Sequence, residues 1–327
     1  MMIRVAGVLA LVVGLYLLLA ARNPNAMKES NLIDVANRQG AAAVITLGVA
    51  VLIIAGGIDL SIGSVVGLSA IGFGLLMKQQ VPPVIAFFIV MAGGACIGLL
   101  HGLLVTRLKL QAFLVTLCGM FIYRGLARYL SDGKPVGLVS IKNEFPDTES
   151  GINFLRHYLI GKDFDGLLLF PGMLVVALVI TVFLGLILHK TTIGRYWYAV
   201  GYNESAARFS GIRTDRMRIF AFMICSACAA LAGMLDILNQ NDANPSITGS
   251  ELELYAITGA VLGGCSLRGG EGTIIGALLG ASVLPLLKNL LSFEQIPDAI
   301  IPAVIGVTLL LGTIVDETIR RRAARRK

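Results

Sequence analysis

The chain has 327 residues, of which 56% are hydrophobic and only 14% charged, with a mean hydropathy of +0.81. Soluble domains carry about 25% charged residues, so a water-soluble fold is excluded and a polytopic all-α membrane protein is expected. The net charge of +7 does not point to nucleic acid, because the basic residues sit at the ends of apolar runs and mark topology instead.

Ten spans are expected, at about 3–20, 41–56, 61–77, 83–105, 111–130, 166–188, 217–237, 252–266, 272–291 and 297–316. Several fall short of the roughly 20 residues of a straight crossing, which points to broken or re-entrant helices. The first run has a weak basic flank in Arg4 and a poor cleavage site at Leu19-Ala20-Ala21, so it is read as a retained span.

The next two runs are joined by AGGIDLSIGS, residues 55–64. Gly56 and Gly57 allow a turn, and Asp59 or Ser61 can cap the third helix, whose first amides lack partners. The other reading gives Asp59 a place in a transport path or gate. An acid at the bilayer centre would cost about 2.5–3.5 kcal/mol, and far less at the edge. Further along, Gly63, Gly67, Ala70 and Gly74 form one small-residue face. Gly94, Gly98 and Gly102 form a second, and Gly272, Gly276 and Gly280 a third. Such faces let helices pack closely. Thr116 and Asn289 are polar groups inside spans and join Asp59 and Ser61 as candidate path residues.

Two long polar segments remain, about 131–165 and 189–216. In the second, Asn203 can cap a short helix with Glu204 in its first turn, and Ser210-Gly211 can stop it. Too short to stand alone, this helix needs a partner surface. It can rest on the membrane with Trp197 and Tyr198 as belt residues, or dock on another protein. Cys225-Ser-Ala-Cys228 has redox-motif spacing but lies in an apolar helix, so packing is expected. The three histidines are far apart and form no local metal motif. GGCSLRGGEG, residues 263–272, lacks the G-K-[ST] ending of a phosphate loop and reads as a tight turn, with Arg268 and Glu271 able to pair. Threading ten spans puts sixteen Lys and Arg on one side and eight on the other, so both termini are expected in the cytoplasm. The C-terminal RRRAARRK is then a stop signal against lipid headgroups, and the loop 131–165 lies outside.

Three motifs coincide in order along the chain: GGIDLSIGS (56–64), TIGRYWYAVGYNESAARFSGI (192–212) and ELELYAITGAVLGGCSLRGGEGTIIGALLG (251–280). Together they resemble the permease subunits of bacterial ribose-type ABC importers, a family that also carries other monosaccharides and the autoinducer-2 signal. The resemblance runs from about residue 40 to 316. It implies one transmembrane permease domain over residues 1–327 in the inner membrane, paired with a second copy or a paralogue. A cytoplasmic ATPase with tandem nucleotide-binding domains would hold ATP and magnesium, leaving no cofactor on this chain. A periplasmic sugar-binding protein would deliver the cargo. The segment with Gly201, Asn203, Glu204, Ala206, Ala207, Arg208, Ser210, Gly211 and Ile212 looks like the family's coupling helix, which fits a cleft on the ATPase. One position departs from the pattern: His101-Gly102 stands where the family commonly has Asn-Gly, and a histidine there is expected to be packed or interfacial. Thr116-Leu117-Cys118-Gly119 resembles a family Thr-Leu-Gly stretch, with Cys118 in place of a small residue.

The expected function is therefore passive translocation of a ribose-like monosaccharide, driven by a partner ATPase. An ion-coupled secondary transporter is the alternative, for which Asp59 and Asp236 are the candidate acids. An intramembrane enzyme finds no support, since neither H-E-x-x-H nor G-x-S-x-G occurs.

Overall fold

A computed structural model describes residues 2–162, 167, 169–296 and positions 300, 303, 306, 307 and 310. The expected span at 297–316 and the basic C-terminal stretch lie outside these residues, apart from those single positions.

The first five helices are α1 (Met2–Arg22), α2 (Glu29–Ile54), α3 (Ile62–Lys78), α4 (Pro83–Thr106) and α5 (Ala112–Leu130). After them come two short helices, α6 (Leu138–Glu144) and α7 (Glu149–Leu155), and then α8 (Gly172–Lys190). The remainder are α9 (Thr192–Tyr202), α10 (Glu204–Phe209), α11 (Thr214–Gln240), α12 (Leu252–Leu262) and α13 (Ile274–Phe293). Among the described residues, seven helices are long and apolar enough to cross a membrane; α3 and α12 are shorter apolar helices. The chain is thus an all-α, multi-pass membrane protein.

Helix α2 begins twelve residues before the expected span. Its first turns carry Asn31, Asp34, Asn37, Arg38 and Gln39, which hide it from a hydropathy reading. Each polar group is answered in the fold. Asn37 Nδ2 donates to Ile160 O at 3.1 Å, and its Oδ1 accepts from the Met173 amide at 2.9 Å. Gln39 Nε2 donates to the Tyr16 hydroxyl at 3.0 Å, and Arg38 pairs with Asp34 at 2.8 Å. Asn37 and Gln39, which would be costly in lipid, are thereby satisfied inside the bundle, while the Arg38–Asp34 pair lies exposed.

The glycine faces meet backbone. Gly94, Gly98 and Gly102 on α4 lie against Ser226, Phe222 and Ile219 of α11. Gly276 and Gly280 on α13 lie against Gly263 and Gly259 of the α12 end. A methyl group added at Gly102 would sit 2.7 Å from the Ile219 Cα, so these positions set the helix separation. Cys225 and Cys228 are buried on α11, the latter facing Gly48, and both remain free thiols.

Helix packing sorts the connections to two ends. Segments 55–61, 107–111, 191–213 and 263–273 gather at one end, joined by Arg218 to Gly56 and Tyr198 to Gly272. Segments 79–82, 131–162 and 241–251 gather at the other. There β1 (Val136–Gly137) pairs antiparallel with β2 (Asp242–Ala243), and Lys162 Nζ donates to Asn239 O at 2.7 Å. The described part of the expected 131–165 loop, residues 131–162, is therefore not a plain loop.

Candidate transport site and coupling surface

Gly56, at φ +80°, turns the chain out of α2. Asp59 follows and is buried, at 1% exposure. Its Oδ1 accepts from the Ser61 amide at 2.7 Å and from the Ser61 hydroxyl at 2.6 Å. Asp59 thus closes a local turn onto Ser61, the residue that precedes α3, and bonds none of that helix's own first amides. Ser61 makes no cap of its own through its side chain but donates to Asp59 instead. The second oxygen, Oδ2, lies 3.4 Å from Nδ1 of His101 on α4. His101 Nε2 lies 2.9 Å from the hydroxyl of Tyr123 on α5. One tautomer fits both contacts: Nδ1–H points to Asp59 while Nε2 accepts from the Tyr123 hydroxyl. His101 is 1% exposed, which excludes an interfacial position. The chain Ser61–Asp59–His101–Tyr123 thus ties the α2–α3 break to two neighbouring helices.

Thr116 is buried on the α5 face that carries Gly119 and Tyr123, at spacings of three and four. Its hydroxyl donates to Ala112 O at 2.9 Å. Asn289 is elsewhere, on α13, in a reciprocal amide pair with Asn31 at 3.0 and 3.4 Å. The structure therefore groups Asp59 and Ser61 with His101 and Tyr123, places Thr116 on the adjoining face, and sets Asn289 apart. Sequence reasoning missed the roles of His101 and Tyr123; the available signal was two polar side chains inside apolar spans. Asp236 lines a separate cavity of about 310 Å³ together with Thr46, Tyr255 and Lys288.

Helix α10 forms where its capping residues expect it. Asn203 Oδ1 accepts from the Ala206 amide at 3.0 Å, and Gly211, at φ +83°, follows its end. Ala207 is buried, whereas Phe209 at the tip is 93% exposed. Glu204 pairs with Arg208 at 3.2 Å and with Arg218 of α11 at 2.9 Å, and Arg208 also holds Asp215 at 2.9 Å. Arg218 Nη2 donates to Gly56 O at 3.2 Å. One guanidinium thus joins α10 to the turn that carries Asp59.

The preceding helix α9 was not expected. Trp197 is 1% exposed and donates through Nε1 to Met217 O at 2.8 Å, so it is a core residue rather than a belt residue. Tyr198 donates to Gly272 O at 2.8 Å; burial, with Cys265 nearby, pushes its phenol up to about 12. Gly201 lies against Ile54 O and the Gly270 amide, and the Gly270 amide donates to Ile54 O at 2.9 Å. The glycine-rich 263–272 segment is indeed a tight turn, with Gly264, Gly269 and Gly270 at positive φ. Among the described residues, no cluster of His, Cys, Asp or Glu could hold a metal.

Against known proteins, the family described as "Branched-chain amino acid transport system / permease component" matches residues 31–313. The chain belongs to this family. Among similar permeases, the ribose import permease protein RbsC of Escherichia coli (strain K12) is 31% identical over 294 residues, 90% of this chain and 88% of that protein. Its counterpart in Bacillus subtilis (strain 168) is 31% identical over 302 residues, 92% and 89% of the two chains. The autoinducer 2 import system permease protein LsrC of Yersinia enterocolitica is 34% identical over 282 residues, 85% and 72%. No solved structure matches. The permease is thus a transport subunit by family. The glycine turn with its buried acid and the short α9–α10 segment both lie within the matched region.

Proposed function

We propose that the permease is the membrane subunit of an ABC importer for a monosaccharide or a closely similar small polyol. The observation that carries this reading is α10: a capped surface helix with an exposed aromatic tip, wired through Glu204 and Arg218 to the Asp59 turn. Such a helix is too short to be stable alone, and here ion pairs hold it as a rigid docking element. A partner ATPase seated on residues 201–212 would supply ATP and magnesium, and its closure would move the α2–α3 break and shift inward- and outward-facing states. A second permease copy or paralogue would complete the path, with Asp59, Ser61 and Thr116 as its candidate polar groups on this chain and Asn289 as a more distant one. A periplasmic binding protein would deliver the cargo. The names of the ribose and autoinducer-2 relatives support the sugar class. The excess of basic residues on the α10 side supports an inner-membrane orientation with that side in the cytoplasm.

The test is uptake into proteoliposomes. Uptake is expected to require ATP, the ATPase and the binding protein together. Uptake by this chain alone, or uptake collapsed by an uncoupler but not by ATP depletion, would overturn the proposal in favour of an ion-coupled carrier.

A further inference from the structure

At the end opposite α10, helices α2, α11, α12 and α13 line a cavity of about 310 Å³. Its inner wall is apolar and buried, with Ala256, Ala281, Leu284 and Pro285. The polar groups are few. Asp236 of α11 is partly buried and supplies the one carboxyl among the described lining residues. That carboxyl has neither a hydrogen bond nor an ion pair among the described residues. The side-chain amide of Asn239, three residues on, likewise has no partner there. Pro285 stands inside α13 and has no amide to give to the carbonyl of Ala281, one turn earlier. Both residues border the cavity, so a backbone bond of the helix is given up at its wall, where irregular backbone is tolerated. Arg38 and Lys288 stand at the exposed rim. Arg38 is paired with Asp34, and the Lys288 ammonium lies 4.6 Å from the centre of the Tyr255 ring. The Tyr255 hydroxyl donates to Glu251 at 2.9 Å, so that ring is held from two sides.

Each feature narrows the ligand. An unpartnered carboxyl and a carbonyl without its amide are acceptors, so the ligand brings donors. Two cations at the rim and one carboxyl inside do not suit a small cation, which would gather several oxygen ligands around it. A largely apolar pocket with a few placed polar groups and an aromatic face suits a small neutral molecule rich in hydroxyls. We propose that this cavity is a sugar-binding site within a single permease chain. Asp236 accepts from the sugar's hydroxyls, Asn239 offers a further amide, and the Tyr255 ring packs against carbon-bound hydrogens. The site is separate from the Asp59 group, which lies towards the α10 end. The inference rests on the importer reading above: with the α10 side in the cytoplasm, this end faces the side on which cargo arrives. The cavity is then a first station for sugar released there.

The test reads binding to the full chain in lipid nanodiscs, without ATPase or binding protein. Saturation-transfer difference NMR is recorded with D-ribose, D-xylose and D-galactose as probes. At least one sugar is expected to gain signal from the wild type. Asp236→Asn keeps the shape of the side chain and should weaken that binding about tenfold. Ala42→Phe fills the cavity from a partly exposed wall position and should abolish it. A wild-type elution profile in size-exclusion chromatography shows that each variant folds. If Ala42→Phe does not fold, the isosteric Asp236→Asn carries the test alone. No signal from any of the three sugars, or a signal unchanged by Asp236→Asn, overturns the proposal. Loss of the sugar signal on adding sodium or ammonium ions at constant ionic strength overturns it in favour of a cation site. Failure of the importer reading shows separately, as uptake that runs without the ATPase, and leaves the binding result readable.

Discussion

Replacing His101 by Leu tests whether the buried polar chain holds α3, α4 and α5 together. The substitution keeps most of the volume, so the cavity cost is small. It removes the acceptor of the Tyr123 hydroxyl, now at 2.9 Å, and the partner of Asp59 Oδ2, now at 3.4 Å. A buried polar group left without its partner costs about 1–3 kcal/mol. The 3.4 Å contact is long for a hydrogen bond, and Asp59 keeps both of its bonds from Ser61, so about 1 kcal/mol is assigned there. The Tyr123 bond adds about 1–2 kcal/mol, giving about 2–3 kcal/mol in total. At about 1.4 kcal/mol per decade, the opened population should rise roughly 30- to 150-fold. The protein carries its own reporters, because Cys225, Cys228 and Cys265 are buried while Cys96 and Cys118 are exposed. With the exposed thiols blocked first, a thiol-reactive dye follows opening on heating. Asp59→Asn combined with His101→Leu should cost less than the sum of the two single changes, by about 1 kcal/mol. Stability of His101→Leu equal to wild type, or strict additivity in the double variant, would refute the coupling.

Asp59→Asn keeps an oxygen to accept the Ser61 amide, so the protein should assemble normally; if transport is also near normal, Asp59 holds the turn alone, and if uptake into proteoliposomes is lost, it also acts in the path. Phe209→Ala should leave the thermal stability of the isolated chain unchanged and weaken ATPase association by about tenfold or more, measured by pull-down titration, because an exposed aromatic tip has the character of an interface anchor. Glu204→Gln removes a charge-assisted bond to Arg218 and should lower the sugar moved per ATP hydrolysed, read from paired uptake and hydrolysis assays. Gly102→Val must push α4 away from α11, and the dispersed fraction in size-exclusion chromatography should fall sharply, with Gly93→Ala, which meets open space, as the silent control.

The helical frame was legible in outline because a bilayer imposes a length: nine of the ten expected spans overlap described helices, but only seven of these are long and apolar enough to cross a membrane, and the tenth lies outside the described residues apart from single positions. Helix α10 was legible for a local reason, since Asn203, Glu204 and Gly211 announce its start and end within nine residues. The start of α2 was not, because the partners that make Asn37 and Gln39 tolerable in a helix come from Ile160, Met173 and Tyr16. The same limit hid the site. His101 is 42 residues from Asp59 and 22 from Tyr123, and Arg218 is 162 residues from Gly56. Pairings of this kind leave no periodic or spacing signal; only the oddity of a polar residue in an apolar run points to them.

The two carboxylate oxygens of Asp59 face different partners. Oδ1 is committed to the amide and hydroxyl of Ser61, just before α3. Oδ2 faces His101, on a helix that packs through Gly94, Gly98 and Gly102 against α11. That same α11 carries Arg218, which grips Gly56 three residues before Asp59 and Glu204 on α10. A displacement of α10 therefore reaches Asp59 by two routes: directly through the Gly56 carbonyl, and through α11 to α4 and His101. Close-packed helices with backbone in contact cannot absorb such a displacement by deforming locally, so the long, weak 3.4 Å contact is the link most easily broken and remade.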